Sequence, residues 1–127
     1  MDIDDLRGQY LMAAAEYARA WAGSSGRGEQ VTQGANRAAD ELRHIASTIG
    51  QGGPAYVRAF SSLFEEHRND VRIWAAFHAL EVMQSPSDMV DRAFDILEER
   101  AKGDSLNALG TRMRLKELYA QFGREPR

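Results

Sequence analysis

The sequence predicts an all-α protein of six helices paired into three antiparallel hairpins. Apolar residues recur at three- and four-residue steps in six segments. Helix start and stop residues bracket nearly all of these segments, and no convincing strand can be read. The connections are short, so consecutive helices fold back on one another.

The first helix runs from Asp2 to Ala22, with Ile3, Leu6, Tyr10, Ala13, Tyr17 and Trp21 as its stripe. Asp2 is its N-cap and Gly23 its C′ residue. A glycine- and serine-rich turn over 23–28 leads to the second helix, Glu29 to Ile49, with Val31, Ala35, Ala38, Leu42, Ile45 and Ile49 inward. Gly50-Gln51-Gly52-Gly53 ends it, and Pro54 takes the first position of a third helix reaching Glu65. Asn69 caps the fourth, Asp70 to Met83. Ser85-Pro86-Ser87-Asp88 places serine at the N-cap, proline at N1 and an acid at N3 of the fifth, which runs to Ala101. Asp104 caps the sixth, which reaches Phe122 and stops at Gly123.

The fourth helix is apolar on both sides: Val71, Ala75, His78, Ala79 and Val82 on one, Ile73, Phe77 and Leu80 on the other. Such a helix belongs at the centre, packed on more than one face. A weak repeat relates it to the sixth, 38 residues on, with apolar character kept at Val71/Leu109, Ala75/Met113, Phe77/Leu115 and Leu80/Leu118.

Asp70-Val71-Arg72, Ala75-Ala76 and Ala79-Leu80 resemble the second helix of a HEAT repeat. More narrowly, Met1-Asp2-Ile3-Asp4-Asp5-Leu6, Ala35-Asn36-Arg37-Ala38-Ala39-Asp40 and the block from Val71 to Glu81 resemble the small bacterial family called domain of unknown function 2019. Leu115-Lys116-Glu117-Leu118 stands where that family carries a similar helix with tryptophan at its fourth position. The resemblance implies a right-handed α-α superhelix of HEAT/armadillo type over a single domain, residues 1–127. It implies no reaction, cofactor or ligand.

Composition excludes several classes. The 127 residues contain no cysteine, so disulfides, thiolate metal sites and a cysteine nucleophile are ruled out. The acidic start lacks the regions of a signal peptide, and no apolar run approaches the ~18–20 residues that cross a bilayer. The chain reads as soluble and cytoplasmic. A net charge of -3 disfavours a protein that must neutralise phosphates.

No catalytic, metal or cofactor constellation emerges. No two histidines have the spacing that puts two ligands on one helix face. His78 reads either as a partly buried core histidine or, with Glu81, Trp74 and Arg72, as part of a groove in a small enzyme or ligand-binding protein. Arg112 and Lys116 share a helix face and leave nucleic-acid backbone binding as a further alternative. The main expectation is a protein-interaction module, an adaptor or inhibitor acting through the second helices of the hairpins. Its candidate contacts are Arg37, Glu41 and His44, then Arg72, His78 and Glu81, then Arg112 and Lys116. Tyr10, Tyr17 and Trp21 belong to the core or form a homodimer surface.

Overall fold

The computed structural model describes residues 2–22 and 28–125, with side chains described over 2–20 and 33–125. It is all-helical, and no strand occurs among the described residues. The order is α1 (Ile3–Ala22), α2 (Gly28–Gln51), α3 (Pro54–Phe60), α4 (Asn69–Glu81), α5 (Ser87–Arg100) and α6 (Leu106–Phe122). The segment predicted as one helix from Pro54 to Glu65 tightens after Phe60 into a 3₁₀ turn, Ser61–Glu65.

The local signals act much as elementary helix chemistry requires. Asp2 Oδ1 accepts from the N–H groups of Asp4 (2.7 Å) and Asp5 (3.2 Å), satisfying donors that the first turn leaves free. Pro54 follows Gly53, whose φ of 100° is open to glycine. Gly123 closes α6 in the left-handed conformation, its N–H directed at the carbonyls of Tyr119 and Ala120. The predicted C′ residue Gly23 lies outside the described residues.

Several boundaries move, and α2 runs on past the predicted Ile49 to Gln51. Ser105, rather than Asp104, caps α6, its hydroxyl accepting from Ala108 N–H at 3.0 Å. Pro86 holds the N-cap position of α5, because Ser85 turns back and donates its hydroxyl to the Ala79 carbonyl at 2.7 Å. Asn69 is already helical and accepts from the Arg72 guanidinium instead of capping. At its other end α4 stops at Glu81, short of Met83.

The hairpins pack around α4, which touches α1, α2, α5 and the 3₁₀ turn. Val71 and the whole run Ala75–Leu80 are buried, so both of its apolar sides find partners. Tyr10, Leu42, Ile49, Phe60, Phe94 and Leu97 complete the centre of the core, each without solvent contact. Gly50 permits the close approach of α2 to the end of α4: a Cβ there would lie 2.9 Å from the Met83 Cβ.

The relation between α4 and α6 holds on one face only. Leu115 and Leu118 are buried like Phe77 and Leu80, but Leu109 is 46% and Met113 65% exposed where Val71 and Ala75 are sealed. The outer side of α6 is uncovered by the other described helices.

Candidate interaction cleft

The exposed side of α4 forms the floor of a trough. Two cavities of about 750 and 530 Å³ meet where Ile73, Arg100 and Asn107 line both. Tyr17 of α1, Trp74 of α4 and Leu106 of α6 wall the larger one. Arg72, Asp95 and Glu99 surround the smaller.

Helical spacing builds the floor: Ile73 and Trp74 remain half-buried while Val71 and Ala75 face inward. Tyr17 meets Trp74 edge-on at 5.0 Å between centroids. Trp74 stacks on His78 at 5.6 Å, and His78 meets Tyr10, which in turn packs edge-on against Phe60. A row of rings therefore runs from the cleft into the core, and this ties the position of the Trp74 wall to the packing beneath it.

An ion pair braces one side. Both Glu81 oxygens accept from Arg114 Nη2, at 2.6 and 2.7 Å, and Arg43 of α2 approaches to 3.7 Å. The Arg114 guanidinium also lies 3.6 Å from the centre of the Phe77 ring. Glu81, only 21% exposed, thus joins α2, α4 and α6.

Two predicted surface residues are corrected. His78 is 3% exposed, so it belongs to the core rather than to an interaction face or the wall of a reactive groove. Its Nδ1 is hydrogen-bonded to the Tyr10 hydroxyl at 2.7 Å, the imidazole tautomer deciding which group donates. Burial, reinforced by the positive charges of Arg43 and Arg114, lowers its pKa to about 3, so the ring is neutral. Tyr10 has no solvent contact and is withdrawn from any dimer surface; burial pushes its phenol well above the ordinary tyrosine value. Tyr17 is half-buried at the cleft, and the Trp21 side chain lies outside the described residues.

The remaining predicted contacts do not form one face. Arg37, Glu41 and His44 are exposed on α2, on the flank opposite Arg43. Arg72 lines the trough. Arg112 donates to the Ala101 and Gly103 carbonyls at 2.7 and 2.9 Å, closing the end of α5, while Lys116 is exposed beside the α5–α6 groove.

Arg43 and Arg100 escaped the sequence reading, as did the pairing of Arg114 with Glu81. The two-sided apolar pattern of α4 was the available signal that more than one helix packs on it, but the partner of Glu81 depends on how α6 crosses. Among the described residues no three His, Asp or Glu side chains gather as metal ligands, and no helix is long and apolar enough to cross a membrane. No protein-family model, no curated protein and no solved structure matches the chain.

Proposed function

We propose that the protein is an interaction module that holds a segment of another protein in the trough between α1, α4 and α6. The observation that carries this reading is the half-buried wall of Tyr17, Ile73 and Trp74, which lines one cavity with the exposed Leu106 of α6. Trp, Tyr and Arg are the residues that most often dominate binding energy at protein interfaces. Among the described residues, three of the four large apolar side chains most exposed to solvent lie on α6, which concentrates exposed apolar surface on that helix.

In this reading the six helices form a HEAT-like right-handed superhelix related to domain of unknown function 2019, working in the cytoplasm as an adaptor or inhibitor. Shape and charge complementarity do the work, so the test is of binding at a defined place. A random library of 12-residue peptides selected on the protein should yield binders that shift the amide resonances of Tyr17, Ile73, Trp74 and Leu106. Trp74→Ser should weaken them at least tenfold while leaving the helical circular dichroism intact. A selection that returns no binder, or binders whose shifts map elsewhere, overturns the reading.

A further inference from the structure

The ion pairs around the trough leave two arginines out. Arg68 is paired with Asp70 (2.5 Å), Lys102 with Glu99 (3.0 Å) and Arg114 with Glu81. Arg72 donates to the neutral Asn69 side chain, and Arg100 has no hydrogen bond or ion pair among the described residues. In both, the Nε atom is buried without an acceptor. A guanidinium keeps its charge at any accessible pH and presents a fork of donors matched to a carboxylate. Removing its donors from water without an acceptor is unfavourable, and an incoming carboxylate would reverse that.

These two arginines line the smaller cavity, with Arg100 at the junction with the apolar wall. Two carboxylates of the trough, Asp70 and Glu99, are already held by Arg68 and Lys102. Asp95, on the α5 side, has an interaction of its own. Charge complementarity therefore selects an acid from outside.

Resting on the interaction reading above, we propose that the partner is an acidic–aromatic peptide segment, its bulky apolar side chain against Tyr17 and Trp74 and its Asp or Glu carboxylate on Arg72 and Arg100. From Ile73 at the junction to Phe77 is about one helical turn, ~6 Å, which an extended segment spans in about two residues. The acid and the bulky side chain are thus separated by no more than a few positions.

The same 12-residue peptide selection tests this with a different readout. Cleft binders should carry Asp or Glu within three residues of Trp, Phe, Tyr or Leu. Replacing that acid by Asn or Gln should weaken binding at least tenfold. On the Arg72→Gln/Arg100→Gln protein, the acidic and amide peptides should bind alike, and the loss on wild type should shrink as salt rises. Arg100→Glu should restore preference for the peptide carrying Lys in place of the acid. Binders that occupy the cleft but lack an acid, or whose affinity ignores both arginines, overturn the acidic partner and leave the interaction reading standing. Absence of any cleft binder overturns both. Thermal melts of each variant separate loss of contact from loss of fold.

Discussion

α4 and α6 carry related apolar patterns and meet opposite environments. α1, α2, α5 and the 3₁₀ turn pack against α4, sealing the run Ala75–Leu80 and leaving Ile73 and Trp74 half-buried at the trough. In α6 one side packs inward through Ala108, Leu115 and Leu118, while Leu106, Leu109 and Met113 stand in water. An apolar face is buried only when a neighbouring element arrives to cover it. The same pattern therefore makes a core in the middle of a stack and a sticky surface at its end.

The sharpest test of that contrast uses the related positions Ala75 and Met113. Ala75→Asp would place an unpaired carboxylate where there is no water, and should cost on the order of 4 kcal/mol or more, enough to unfold much of the population. Met113→Asp should stay within about 0.5 kcal/mol. Urea titrations followed by circular dichroism measure both, and equal losses would mean that α6 is as enclosed as α4.

A second difference is electrostatic. The folded state holds His78 neutral, with a pKa of about 3, whereas the unfolded chain protonates it near 6.5. The unfolded state thus binds more protons between those values. The contribution of His78 is fully present above pH 6.5 and is lost as pH falls toward 3, on the order of a few kcal/mol in all. His78→Gln should flatten that part of the stability profile relative to the wild type. An unchanged slope would place the histidine in solvent.

Smaller effects complete the series. Tyr10→Phe removes the hydroxyl bonded to His78 and should cost about 1–2 kcal/mol, read as a lower midpoint in urea with unchanged slope. Leu109→Ser should move stability by no more than about 0.5 kcal/mol, since its side chain is 46% exposed. Loss of peptide binding in Leu109→Ser without loss of stability would extend the docking surface from the trough onto the outside of α6.

Much of the fold was legible from local chemistry. Asp2, Pro54 and Gly123 act within a few residues of the backbone groups they satisfy, so their roles need no knowledge of distant parts of the chain. Ser105 for Asp104 and Pro86 for Ser85 are shifts of one residue: the Ser105 hydroxyl accepts from the first turn of α6, while the Ser85 hydroxyl is turned to the Ala79 carbonyl. The candidate site was less legible. The placements of Arg72 and Glu81 depend on neighbours more than twenty residues away, and His78 was assigned to an interaction surface that the packing of Tyr10 and Trp74 closes.

The periodicity of apolar side chains determined the six helices and the central place of α4, because that information repeats every three or four residues. Tertiary structure alone decided that α6 keeps a bare outer face, that Arg114 holds Glu81, and that Arg72 and Arg100 share a trough with no carboxylate paired to either. Those outcomes depend on how whole helices cross. Crossing is set by the sum of many side-chain contacts between segments far apart in the chain, and no single stretch of sequence carries it.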